Sequence, residues 1–436
     1  MRLAHRPLLV ALLIGLAAQA LFSIQLGRPT NLVFDEVHYV PAARTMLALA
    51  EPANVEHPPL AKELIAIGIA LFGDNPIGWR AMSTLAGTVT VLGGFAILML
   101  GFGRVRVAAL GAYLLAINQT VFVQARIAML DGFLGAFVTC GIAALLWAMR
   151  AQPGRRTARI VLAGALLGCA VAVKWSAAPY VAVACLAVLL WHLGSPTVRP
   201  ELVEGRPAPT TDAPAALSGR PSTSSGRTAL GLGLGLAILL GLTALAAYFA
   251  TFTPALFYAR DAITLADLLP LQQQMYAQQT VVLRPHPYQS DWWSWPLMLR
   301  PIWYYYERDL GIMRGILLLG NPAIFWGGLV AVAACLWAGV RGSRAHLALA
   351  LLWLFSIAIY VVIPKSLGFF YYYHLSGIFV TLAIPPALML RKHRNADLWF
   401  AGVATAVFVY FYPIIAAAAL PNDQAFLRWM WFGSWR

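Results

Sequence analysis

The sequence predicts an all-α polytopic membrane protein with about eleven transmembrane helices, since each crossing needs about 20 mostly apolar residues. Three observations carry that expectation. Apolar residues make up 60% of the 436 and charged residues only 11%, which leaves too little polar surface to cover a water-soluble domain. Apolar runs of spanning length recur from end to end. The excess of basic over acidic residues falls on one side of those runs, in keeping with the positive-inside bias of membrane proteins.

The spans fall at 8–27, 78–100, 107–124, 129–149, 159–173, 176–193, 228–250, 314–340, 345–363, 370–390 and 397–416. Before the first, Met1 to Arg6 followed by an apolar run has the outline of a secretory signal. It lacks a polar cleavage region and reads as a retained signal anchor. The fifth and sixth spans share one apolar stretch, 160–191, interrupted only by Lys174 and Pro179. Charge separates them. With the N-terminus cytoplasmic and the C-terminus periplasmic, the cytoplasmic segments hold seventeen basic residues against four acidic ones. Merging the two spans would carry the Arg391-Lys392-His393-Arg394 cluster to the far side, against the bias. The net charge of +14 is therefore a topology signal, and no nucleic-acid partner is expected.

Residues 1–193 form the expected N-terminal catalytic transmembrane module, with an external loop at 28–77. Inside that loop, 64–72 is apolar but too short to span, which suits a helix lying in the interface. Residues 194–227 are rich in Pro, Ser, Thr, Ala and Gly and are expected to be a flexible cytoplasmic linker. A C-terminal transmembrane module follows at 228–436, with an external loop at 251–313. Its aromatic, proline-rich stretch from Pro285 to Tyr306 suits anchoring at headgroup level or a binding surface. Cys140, Cys169, Cys185 and Cys335 all lie in apolar segments without CxxC spacing, so they read as small hydrophobes.

Chemistry concentrates at the external ends of the spans. Asp35 and Glu36 follow Leu32-Val33-Phe34 just beyond the first span. Adjacent side chains diverge on helix or strand, so the two carboxylates are not expected to clamp one point. An exposed Asp-Glu pair is also ordinary solvated surface. Glu56-His57-Pro58-Pro59-Leu60-Ala61-Lys62 is conformationally restricted by its prolines, which can hold a polar group in place or open a helix. Arg126 at a membrane edge suits either snorkelling or a phosphate, for which guanidinium is a bidentate donor. Asp131 reads as structural, capping or orienting the fourth span. Lys174 lies between apolar stretches, where an uncompensated ammonium is costly in lipid, so an ion pair, snorkelling or a lipid phosphate would account for it. Lys365, before Phe369-Phe370-Tyr371-Tyr372-Tyr373-His374, suits either an interfacial anchor or a phosphate ligand at an aromatic-lined membrane edge.

Taken together, these residues resemble the dolichyl-phosphate-mannose-protein mannosyltransferase family, in its bacterial polyprenyl-phosphate-dependent branch. Phe34-Asp35-Glu36 with His38-Tyr39, His57-Pro58-Pro59-Leu60-Ala61-Lys62, Arg126 with Leu130-Asp131, Lys174-Trp175, and His286-Pro287-Tyr288-Gln289-Ser290 through Trp295-Pro296-Leu297 carry the resemblance over roughly 28–310. It departs at Val55, where many members have an acid two positions before His-Pro-Pro; here Glu56 stands one position later. A Glu-x-Pro-Pro arrangement is also similar to the bacterial enzymes that move aminoarabinose onto lipid A.

The resemblance implies a membrane glycosyltransferase C (GT-C) fold in the bacterial inner membrane, with the active site on the periplasmic side. It implies inverting transfer of mannose from a polyprenyl-phosphate carrier to Ser or Thr hydroxyls of translocated proteins. The alternative is transfer of another lipid-linked sugar to protein, lipid A or a glycan. Asp35 and Glu36 are then the expected catalytic residues, with Asp35 the general base. Arg126, Lys174 and Lys365 are expected at the donor phosphate, and His57, Lys62, His286, Tyr288, Gln289 and Ser290 along the cavity or acceptor path. Membrane lipids, the donor, the acceptor protein and the secretion machinery are the expected partners. No cofactor is expected, and no metal site, because the spacing of Asp35, Glu36, His38 and His57 is not a dedicated metal motif.

Overall fold

The computed structural model describes residues 6–194, 223–363, 366–390 and 395–436. The expected linker therefore lies outside the described residues over 195–222, as do Lys365 and the 391–394 basic cluster. The first half contains α1 (Pro7–Ser23), α2 (Glu36–Leu47), α3 (Leu60–Phe72), α4 (Pro76–Phe102), α5 (Val105–Ala116), α6 (Gln119–Gln124), α7 (Leu130–Met149), α8 (Pro153–Val173) and α9 (Ala178–Gly194). The second contains α10 (Thr223–Ala250), α11 (Leu268–Gln279), a hairpin of β1 (Ile302–Asp309) and β2 (Ile312–Leu318), then α12 (Pro322–Val340), α13 (Arg344–Val362), α14 (His374–Met389) and α15 (Ala396–Ile415).

Among the described residues, nine helices are long and apolar enough to cross a bilayer, and α1 and α5 are shorter apolar helices. Together they reproduce the expected order of spans, with two differences of physical interest. The third span breaks after Ala116, because Asn118 caps α6 through Thr120 N–H at 3.0 Å and donates to Gly377 O and Thr381 Oγ1 on α14. The expected eighth span starts too early. Residues 312–318 pair antiparallel with 302–309 instead, and the helix begins only at Pro322, where Asn321 caps it through Ala323 and Ile324 N–H. Nearly every residue of β2 is buried, so it lacks the alternation that marks a half-exposed strand and reads as a helical run.

α7 packs between α4 and α8, and α10 lies along α8 so closely that a Cβ on Gly168 would come within 2.2 Å of Ala244 O. Small residues at helix crossings permit such approaches. α14 is buried nearly all round and touches α4, α5, α6 and α7 as well as α12 and α13. The two expected modules are thus interlocked. The short helix expected at 64–72 is present as α3, which packs with α2 against α4 at the loop-rich end of the bundle.

Candidate active site

The site begins with a buried ion pair that shapes the loop after α1. Arg80, inside α4, bonds both carboxylate oxygens of Glu36 at 2.8 Å, and both side chains are fully buried. Val33 N–H and Ala128 N–H donate to the same carboxylate at 2.8 Å. The rest of the guanidinium is taken by the carbonyls of Leu26, Pro29 and Asn31. This satisfied knot ties the 26–36 loop to α4 and to the turn before α7, as a buried charge pair requires.

One residue earlier the chain is forced the other way. Phe34 has φ +47°, a left-handed conformation that costs a non-glycine residue about 1 kcal/mol. Its ring stacks on Tyr304 at 4.3 Å and meets Tyr371 edge-on at 6.0 Å. Asp35 occupies the N-cap of α2 yet makes no capping bond, although aspartate at that position ordinarily accepts from the first turn. Its carboxylate instead lines a cavity of about 400 Å³, with Tyr39 and His57 beside it.

The cavity also holds a second acid and a lysine. Asp131, at the start of α7, accepts from Lys174 Nζ at 2.9 and 3.2 Å. Lys174 sits in extended backbone where α8 ends, with the rings of Tyr372 and Tyr371 at 4.9 and 5.4 Å from its ammonium. Trp175, Ser176, Tyr360, the α11 residues Tyr276 and Gln279, and Thr280 just after α11 complete much of the wall. Burial pushes the Asp35 pKa up to about 6, against the opposing pull of His38 and Lys174, with Asp131 adding to the rise. Burial works against the Lys174 ammonium, but the Asp131 carboxylate overrides it and the lysine stands above its ordinary value. A carboxylate that titrates near neutrality facing a fixed cation suits proton abstraction next to a developing anion.

Asp35, His57 and Lys174 therefore meet in one cavity, and Asp131 joins them as a lining residue in addition to its place in the helix. Other expectations require correction. Glu36 faces away from the cavity, and its carboxylate is already saturated, so it positions its neighbour and has no oxygen left for substrate. Arg126 donates to Phe22 O at 2.8 Å and lies 5.0 Å over the Phe122 ring, away from the cavity wall. Lys62 is buried with its ammonium bonded to Asn54 O and, at 2.8 Å, His57 O, so it orders the 54–57 loop from behind.

The His286–Ser290 stretch folds on itself. Gln289 Oε1 accepts from His286 N–H, His286 Nδ1 accepts from Tyr288 N–H, and Ser290 Oγ accepts from Trp295. His286 packs on Phe369, which stacks on cavity residue Tyr371, so the stretch supports the wall from outside. Lys365 is outside the described residues. Sequence reasoning missed Arg80, whose signal is a lone arginine inside an apolar span, and the cavity roles of Trp175, Tyr371 and Tyr372. Among the described residues no three His, Cys, Asp or Glu side chains converge on a point.

Residues 12–200 match the family model of dolichyl-phosphate-mannose-protein mannosyltransferases, and 264–435 match that of the C-terminal four-helix region of protein O-mannosyltransferases. The polyprenol-phosphate-mannose-protein mannosyltransferase of Corynebacterium glutamicum is 27% identical over 93% of this chain and 88% of its own length. That of Mycobacterium tuberculosis is 28% identical over 77% and 71%. The S. cerevisiae protein O-mannosyltransferase Pmt1-Pmt2 complex, solved with its sugar donor, superposes with a TM-score of 0.76 at 14% identity, over 99% of this chain and 93% of that one. ArnT of Cupriavidus metallidurans, solved with undecaprenyl phosphate, gives 0.58 at 15% identity over 95% and 67%. These likenesses establish the GT-C fold.

Proposed function

The chain belongs to the dolichyl-phosphate-mannose-protein mannosyltransferase family, in its bacterial polyprenyl-phosphate-dependent branch, and we propose that its Asp35 cavity transfers mannose from a polyprenyl-phosphate carrier to a Ser or Thr hydroxyl of a translocated protein. The observation that carries this reading is the uncapped Asp35 carboxylate sharing one cavity with the Lys174–Asp131 pair.

Asp35 accepts the proton of the acceptor hydroxyl as that oxygen forms a bond to the anomeric carbon. On the opposite side the bond from that carbon to the phosphate oxygen breaks, so the configuration inverts and polyprenyl phosphate departs. Lys174 meets the negative charge that grows on the leaving phosphate, with Asp131 fixing the ammonium. The polyprenyl-linked sugar already carries an activated leaving group, so this step needs no nucleotide.

An apolar groove of about 790 Å³, lined by residues such as Val171, Val181, Leu245 and Tyr248, shares Trp175 and Ile363 with the cavity. Its continuity with the phosphate end supports a lipid-borne donor whose tail lies among α8, α9 and α10. The charge bias supports a cytoplasmic N-terminus and a periplasmic cavity in the inner membrane. Acceptor chains then arrive from the side on which the secretion machinery delivers them.

The test is reconstitution with defined polyprenyl-phosphate-mannose and Ser/Thr peptides, with the product identified by mass spectrometry. An α- or β-linked mannosyl peptide opposite in configuration to the donor is expected. Transfer confined to lipid or glycan acceptors would overturn the protein-acceptor reading.

A further inference from the structure

A second cavity also borders His57. It measures about 60 Å³ and is walled by apolar side chains from both external loops, among them Val55, Phe252, Ala255, Ile263 and Leu271. His57 lines both this pocket and the reaction cavity, so the two adjoin at this residue. The pocket is not wholly apolar. Glu63 and Lys62 also line it, and the two differ in what remains unbonded. The Lys62 ammonium is engaged by the carbonyls of Asn54 and His57. Glu63 Oε1 is buried and accepts no hydrogen bond, which is costly for a carboxyl oxygen unless a ligand or water supplies the donor. Burial also raises the Glu63 pKa to about 7, partly offset by Lys62, and in either protonation state the group retains an acceptor oxygen.

The walls of this pocket belong to the two external loops that also frame the reaction cavity. Gln279, on the cavity wall, bonds Glu56 O at 2.6 Å across the gap between those loops. Backbone bonds from Ala259 and Arg260 to Leu49 and Ala50 join them again on the pocket side. A polypeptide whose hydroxyl reaches Asp35 must pass His57 to leave on this side. Because the two cavities adjoin at one residue, about two residues of extended chain, at about 3.3 Å each, carry a segment from one to the other.

We infer that this pocket receives a small apolar side chain of the acceptor polypeptide, two residues from the one that takes the sugar, while Glu63 accepts a backbone N–H of the same segment. The inference rests on the protein-acceptor reading above and deepens it into a sequence preference. A space of about 60 Å³ holds a few water molecules, so alanine, proline or valine fits and an aromatic ring does not.

The experiment uses the full chain in lipid nanodiscs with saturating polyprenyl-phosphate-mannose and two series of threonine peptides. Each series places alanine, valine, phenylalanine or tryptophan two residues before or after the threonine. In one series kcat/KM is expected to fall at least about 10-fold from alanine to tryptophan. Ala255→Leu, which fills the pocket, is expected to raise KM for the alanine peptide by a similar factor while KM for the donor stays constant. Glu63→Gln, which exchanges one acceptor oxygen for a donor, is expected to raise the acceptor KM several-fold in the same way. Equal turnover of all peptides in both series overturns the inference while leaving the transfer reaction intact. So does an unchanged acceptor KM in a folded Ala255→Leu protein. If that variant does not fold, the peptide series on the unaltered chain decides. Mannosylation of no peptide, with turnover of a lipid or glycan acceptor, overturns the underlying reading and this inference with it.

Discussion

Two buried ion pairs flank the reaction cavity, and they differ in what each has left after pairing. Glu36 and Arg80 share two bonds, and backbone groups take up the remaining capacity of both. The side chains of Asp131 and Lys174 bond one another at 2.9 and 3.2 Å, line an open cavity and have no further hydrogen-bond partner among the described residues. The saturated pair fixes a shape, whereas the unsaturated one keeps a charge available. Asp35 lies between them in both senses, held in place by the first and turned toward the second.

The largest effect is expected from breaking the saturated pair. Glu36→Ala leaves the Arg80 guanidinium buried without its counter-charge, which typically costs about 3–5 kcal/mol. Loss of folded protein and of all activity follows, measured by thermal melting and size-exclusion chromatography in detergent. A folded Glu36→Ala enzyme with normal stability would erase the distinction between the pairs.

Asp35→Asn sharpens the same comparison, because its effects on stability and activity run in opposite directions. Loss of the general base lowers kcat by about 10²–10⁴-fold. Folding should improve by about 1–2 kcal/mol at neutral pH, allowing for the side chain's partial exposure. The sign follows from linkage. The folded-state pKa is raised to about 6 by burial, so the ionised form is penalised in the native state. Between about pH 4 and 6 the unfolded chain ionises first, and stability is lost as pH rises through that window. The asparagine variant lacks this loss. Full turnover with intact donor binding would remove Asp35 from its proposed role.

The sequence makes one of these regions far more legible than the other. Asp35, His57 and Lys174 can be read as a polar set at one membrane level because intramembrane charge is rare and sorted by topology. The spans themselves are legible for the same reason. Arg80 and Glu36 are not readable as partners, since they lie 44 positions apart and only the fold brings them together. Phe34 is similarly opaque: nothing in a Val-Phe-Asp-Glu string announces a left-handed phenylalanine. Arg126 shows the converse error. Its chemistry suits phosphate, but the side chain is committed to Phe22 O, and direction is a property of packing. The β-hairpin is hidden because burial of β2 on both faces removes the alternation by which strands are recognised.

A smaller loss is expected when the unsaturated pair is altered. Lys174→Met removes the cation facing the leaving phosphate and should lower kcat/KM for the donor by about 10²-fold. Lys174→Arg retains the charge with a different shape and should recover part of that loss. Equal losses in both variants, with unchanged melting, would mean that geometry outweighs charge at this position.

The smallest and most specific prediction concerns pH. Since Asp35 must be ionised to accept a proton, activity should fall as pH drops through about 6. Asp131 contributes to that raised value by repulsion, while Lys174 opposes it. Asp131→Asn removes the repelling charge and leaves Lys174 without its nearer anion, so both changes favour ionised Asp35. The acid limb should move to lower pH by about half a unit, even as the plateau falls because Lys174 loses the group that fixes it. Profiles normalised to their plateaus separate the two effects. An acid limb that stays in place or moves upward would show that Asp131 serves Lys174 alone, and the two ion pairs would then differ less than their geometry implies.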